Sequence, residues 1–76
     1  MSVQNEIKII RQQAFLSQSE FADALSVSFA TVNRWETGKT IPKISTMRKI
    51  KEFCDSNDIP IDGLQMALMD YEGLTE

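Results

Sequence analysis

Histidine is missing from this 76-residue chain, and Cys54 is its only cysteine. No internal disulfide can form, and too few soft ligands remain to hold a zinc ion. With the imidazole goes the commonest general base near neutral pH. The three glycines build neither a phosphate-cradling loop nor a nucleophile elbow. Metal, cofactor and catalytic activity are therefore not expected. Long apolar runs are lacking too. Nothing approaches the ~20 residues of a membrane span, and the first residues carry neither the basic start nor the apolar stretch of a secretion signal. A cytoplasmic location without membrane contact is expected.

What is present is an ordinary globular composition, with 42% hydrophobic and 25% charged residues and no repeat or low-complexity tract. A chain this short holds one modest core, so residues 1–76 are expected to form a single domain. The charge is unevenly spread. Residues 28 to 51 carry Arg34, Lys39, Lys43, Arg48, Lys49 and Lys51 against Glu36 alone, a net +5. Residues 52 to 76 carry seven carboxylates and no base, a net −7, so the overall −3 averages two opposite poles. At physiological salt the screening length is about 8 Å, which lets a basic face act largely apart from a distant acidic one. An acidic total thus leaves a polyanionic partner open.

Apolar spacing is helical throughout, and strand-like alternation is nearly absent. Val3, Ile7, Ile10 and Ala14 fall at steps of four, three and four, one face of a first helix. Residues 17 to 20, "SQSE", form a capping box worth ~1 kcal/mol, opening a two-turn helix with Phe21, Ala22 and Leu25 inward. Ser28 caps a third helix over Phe29 to about Glu36. There Val32 and Trp35 share the inner face, Trp35 as core, and Gly38 supplies the left-handed turn that ends it. Ile44, Met47, Ile50, Phe53 and Cys54 mark a fourth helix running to about Asp55, and Leu64, Ala67, Leu68 and Tyr71 the inner stripe of a fifth. Met66 and Met69 lie opposite that stripe, near Leu74, and form a candidate dimer patch. The fold class is therefore all-α, a compact bundle of five helices with short connections.

Two short helices joined by a brief link have the layout of a helix-turn-helix, and the residues make the layout specific. The pattern runs Arg11, then Leu16-Ser17-Gln18, Phe21-Ala22, Leu25, Val27-Ser28, Thr31-Val32, Glu36, Gly38-Lys39 and Pro42, in order and without insertion. In this it closely resembles the lambda-repressor-like family of DNA-binding domains, also called the Xre or Cro/C1 type. The resemblance spans about residues 5–70, more loosely over the last two helices. Tyr71 and the short acidic tail, 72–76, lie beyond it. Phe15 departs from the pattern, for the family often has glycine there. Either the turn after the first helix differs, or Phe15 accepts ~1 kcal/mol of strain at positive φ in exchange for an apolar contact.

The resemblance implies that the third helix enters the major groove, with Ser28, Phe29, Ala30, Thr31, Asn33 and Arg34 facing base edges. Spacing agrees independently for Ala30, Asn33 and Arg34, because Val32 and Trp35 turn inward. Arg34 is the candidate for a bidentate bond to guanine, with a phosphate contact or simple exposure as alternatives. Asn33 suits adenine or is merely solvated. Phe29 and Ala30 have no donors and offer only apolar contact to a thymine methyl, unless Phe29 packs on the second helix. Gln18 is implied as a phosphate clamp aided by the helix dipole, with Lys39, Thr40 and Lys43 on further phosphates. Arg11 and Glu36 are implied as a structural salt bridge.

The expected function is that of a sequence-specific, double-stranded DNA-binding transcriptional regulator, a bacterial or phage repressor acting by operator occupancy. One module offers little contact area, so a homodimer on half-sites about one helical turn apart is expected. The alternative is a protein-interaction module of antitoxin or anti-repressor type, gripping a protein partner through the acidic C-terminal helix, with DNA binding secondary or lost.

Overall fold

Each of the first three helices is opened by a serine whose hydroxyl accepts a backbone N–H in the first turn. In the computed structural model, which describes residues 2–70, Ser2 Oγ accepts from the Asn5 N–H at 3.2 Å and opens α1 (Val3–Gln13). The capping box at α2 (Gln18–Leu25) is complete: Ser17 Oγ accepts from the Glu20 N–H at 3.1 Å, and the Ser17 N–H donates to Glu20 Oε1 at 2.8 Å. Ser28 Oγ accepts from the Thr31 N–H at 3.1 Å to start α3 (Phe29–Glu36). Two further helices follow, α4 (Ile44–Ser56) and α5 (Asp62–Met69), and no strand occurs among the described residues. The expected roles of Tyr71, Leu74 and the acidic tail at 72–76 fall outside those residues.

The ends of α1 to α4 share one device. Phe15, Ser26, Gly38 and Asp58 all have φ between 55° and 82°. The N–H of the residue after each reaches back five positions. Leu16 bonds to the Arg11 carbonyl at 3.2 Å, and Val27 to Ala22, Lys39 to Arg34 and Ile59 to Cys54 at 2.9 Å. This left-handed termination satisfies carbonyls the helix leaves orphaned, and it often turns the following residue back onto the core. Leu16, Val27 and Ile59 do return to the core, which is why Ile59, in what reads as a plain break in the sequence, is buried.

One hydrophobic cluster joins all five helices. Ile7 of α1, Phe21 and Leu25 of α2, Val32 of α3, Ile50 and Cys54 of α4 and Leu64 of α5 are fully enclosed. Phe21 meets Phe53 edge-on, with ring centroids 5.3 Å apart, and α2 thereby seats on α4. Burying an aromatic of this size contributes about 2 to 3 kcal/mol. Burial pushes the Cys54 thiol up to about 11, so it stays protonated and unreactive at neutral pH. Trp35 is buried as expected of a core residue. Ile44 is not: expected on the inner face of the fourth helix, it is 67% exposed. It is the first residue of α4, and only from Met47 onward does the inner face of that helix meet the core.

Phe15 does adopt positive φ, at 60°, yet its side chain is 93% exposed, so the apolar contact that was to offset the strain does not form. The chain is tied there by Arg11, which holds the Leu16 carbonyl at 2.9 Å. Left-handed backbone costs a bulky residue about 1 to 2 kcal/mol, whereas glycine adds unfolded-state entropy worth about 0.4 to 1. The strain is the larger quantity. Phe15→Gly should therefore stabilise the fold by about 0.5 to 1 kcal/mol, raising the melting temperature by a few degrees. A calorimetric decrease would show that the ring has a partner in solution.

Candidate nucleic-acid interface

The spacing of α3 decides what it shows to solvent. Val32 and Trp35 are buried, and the opposite side presents Phe29, Ala30 and Arg34, all exposed. Phe29 is 52% exposed, so packing against α2 does not absorb its ring. Thr31 and Asn33 sit half-buried at the flanks. The hydroxyls of Ser28 and Thr31 lie 2.8 Å apart and bond to each other, which partly occupies both in the free protein.

Beneath this ridge runs a polar network that crosses three helices. Arg11 donates from Nε to Glu36 Oε2 at 2.7 Å and from Nη2 to Glu36 Oε1 at 2.9 Å, a two-pronged ion pair between α1 and the last turn of α3. The pair is largely withdrawn from water, and the bond to Glu36 raises the guanidinium above its ordinary value, so Arg11 is permanently charged. Gln18 Nε2 joins at 3.0 Å from Glu36 Oε1, while Gln18 Oε1 accepts from Asn33 Nδ2 at 3.3 Å. The chain of contacts therefore runs from Asn33 on the ridge through Gln18 and Glu36 to Arg11.

That network qualifies the roles expected of two residues. Gln18 already has one amide hydrogen and its carbonyl engaged, leaving the second amide hydrogen for a phosphate. Among the described residues the backbone N–H groups of Gln18 and Ser19 find no acceptor, as at any helix start. Asn33 likewise keeps a carbonyl and one amide hydrogen, the pair an adenine edge requires, with its orientation set by Gln18. Neither link is legible in the linear sequence, because the partners lie fifteen and eighteen positions apart.

The loop after α3 brings cations to the other flank. Gly38, at φ 82°, lets the chain double back, and a Cβ there would collide with the Gln4 side chain as well. Lys39 and Thr40 both direct their N–H groups to the Arg34 carbonyl, at 2.9 and 3.4 Å, and their side chains are exposed. Between α3 and the start of α4 lies a hollow of about 330 Å³ lined by Thr31, Arg34, Trp35, Ile41, Lys43 and Thr46. Its two cations, Arg34 and Lys43, make no ion pair with any described carboxylate. Thr46, one turn beyond Lys43, is a lining residue that sequence reasoning missed; the three-residue spacing was its only signal. An exposed ridge flanked by helix-end N–H groups on one side and a cationic hollow on the other suits a polyanion of regular shape.

Comparison with known proteins agrees with the two-helix layout of α2 and α3. A family model described as helix-turn-helix matches residues 7–57. The chain is also 37% identical over 57 residues to the type II methyltransferase M.SsoII of Shigella sonnei, an alignment covering 71% of this chain and 15% of that protein. The chain thus spans a minor part of the length of this relative.

Proposed function

The chain belongs to the helix-turn-helix family of lambda-repressor-like type, and from that membership we propose that it is a transcriptional regulator that binds double-stranded DNA sequence-specifically in the cytoplasm and represses by occupying an operator. The observation that carries this reading is the exposure of Phe29, Ala30 and Arg34 on one side of α3, beside Lys39 and Lys43. In the complex α3 lies in the major groove. Arg34 donates to guanine O6 and N7, Asn33 addresses adenine, Phe29 and Ala30 lie against thymine methyls, and Ser28 and Thr31 stand at the groove entrance. Gln18, Lys39, Thr40 and Lys43 hold phosphates and set the register without reading sequence. Two copies occupy half-sites one helical turn apart.

The partial likeness to a methyltransferase supports a shared module and not a shared reaction, because the aligned part is 15% of that protein. The only thiol of this chain is enclosed in the core.

Salt titration with a mixed-sequence duplex tests the reading. About four phosphates neutralised per subunit give a log-log slope of about −3.6 for each. Selection of bound duplexes from a random pool should then return a palindromic consensus. A protein-interaction module, the rival reading, would give neither binding nor slope.

A further inference from the structure

Phe29 is the first residue of α3 and Ala30 the second, and both are exposed. Neither side chain holds a polar atom. The same turn contains Ser28, the N-cap, and Thr31, whose hydroxyls bond to each other at 2.8 Å. Ser28 Oγ also accepts the Thr31 N–H, so whichever hydroxyl donates to the other, a single hydroxyl proton is left over from the pair. Hydrogen-bonding capacity returns in the second turn, with the carbonyl and free amide hydrogen of Asn33 and the guanidinium of Arg34, which pairs with no described carboxylate. The ridge is thus divided along its length into an apolar first turn and a polar second one. The other large apolar side chains left exposed among the described residues, Ile9, Phe15, Ile44, Met66 and Met69, all lie outside α3.

We propose that this first turn reads the C5-methyl group of a pyrimidine and not the base that bears it, so that 5-methylcytosine is accepted where thymine is, and methylation of cytosines under Phe29 and Ala30 strengthens binding. The proposal rests on the DNA-binding reading of α3. In that arrangement the N-terminal residues of the helix are the ones that meet base edges. Thymine and cytosine differ in the major groove in two ways, an O4 acceptor against an N4 amino donor, and the methyl on C5. Telling O4 from the amino group takes a hydrogen bond, which a phenyl ring and a methyl side chain cannot make. Sensing the methyl takes only contact area, which both supply.

5-Methylcytosine carries its methyl on the same carbon and the same edge as thymine, so the two side chains bury it alike. Enclosing one methyl group favours binding about fourfold, whichever base carries it. The mutual bond of Ser28 and Thr31 matters here, because two free hydroxyls beside the ring would sense the polar edge that the ring ignores.

Binding of the full chain to modified operator duplexes tests this. Uracil replaces each thymine of a half-site in turn, which removes one methyl and leaves every hydrogen-bonding group in place. At the thymines that respond, cytosine and 5-methylcytosine are then compared opposite guanine. Thymine should bind about fourfold more tightly than uracil there, and 5-methylcytosine about fourfold more tightly than cytosine. Phe29→Ala should bring both ratios close to one at a responding position, with unchanged circular dichroism, because the ring is half-exposed. Arg34→Ala should weaken every duplex and leave both ratios as they were. The proposal is overturned if no thymine responds, if 5-methylcytosine gains nothing over cytosine where thymine does respond, or if the ratios survive Phe29→Ala at every position; sequence-specific binding itself would still stand. A chain that binds no duplex at all would refute the DNA reading, and the methyl reading with it.

Discussion

Alanine in place of Arg11 is expected to cost about 3 to 5 kcal/mol of folding stability, because it leaves a carboxylate enclosed without its cation. The Glu36 side chain is 3% exposed, and only the Gln18 amide would remain to satisfy it. At roughly 0.05 to 0.15 kcal/mol per residue, 76 residues have about 4 to 11 kcal/mol in total, so the loss brings the protein to the edge of unfolding at 25 °C. Removing the other partner should be milder. With Glu36→Ala the guanidinium, 14% exposed, still donates to the Leu16 carbonyl. Replacing both with methionine should cost less than Arg11→Ala alone, since no charge is then stranded. Urea unfolding reads all three as shifts in midpoint at unchanged slope. A loss below about 1 kcal/mol for Arg11→Ala would mean that the pair behaves as an exposed one, with water reaching the carboxylate.

The second large effect is on recognition. Arg34→Ala should weaken binding to the selected operator by about 1 to 3 kcal/mol, roughly 5- to 150-fold, while leaving folding stability almost unchanged. The side chain is exposed and pairs with no described carboxylate, so nothing in the fold depends on it. Arg34→Lys separates the two ways of contacting DNA. A phosphate contact needs only charge, so lysine would restore affinity; a bidentate bond to guanine needs the planar fork, so lysine would fail. On the guanine reading the loss falls on operator duplex and spares mixed-sequence duplex. Equal losses on both would move Arg34 from base reader to backbone anchor, and the salt slope of the alanine variant would then fall by about 1.

Local chemistry in this chain was legible because it acts between near neighbours. Ser17 and Glu20 lie one turn apart and Ser28 stands next to its helix, so the caps of α2 and α3 could be read from the linear order. The inward spacing of Val32 and Trp35 set which side of α3 faces out. Where the helices end was legible, as near Leu25, Glu36 and Asp55, but the left-handed geometry of those ends was marked by residue type only at glycine. Gly38 announced a left-handed turn, whereas Phe15, Ser26 and Asp58 make the same turn without the residue type that signals it.

The sequence by itself determined five helices, their inner faces, the pairing of Arg11 with Glu36 through family likeness, and the ridge on α3. Only the tertiary structure decided that Gln18 joins Asn33 to Glu36, that Ile59 enters the core while Ile44 stays out, and that Phe15 stands unsupported in water. The physical reason is range. Propensity, capping and periodicity act within about a turn or two of helix, but burial and side-chain networks depend on which distant segment arrives alongside.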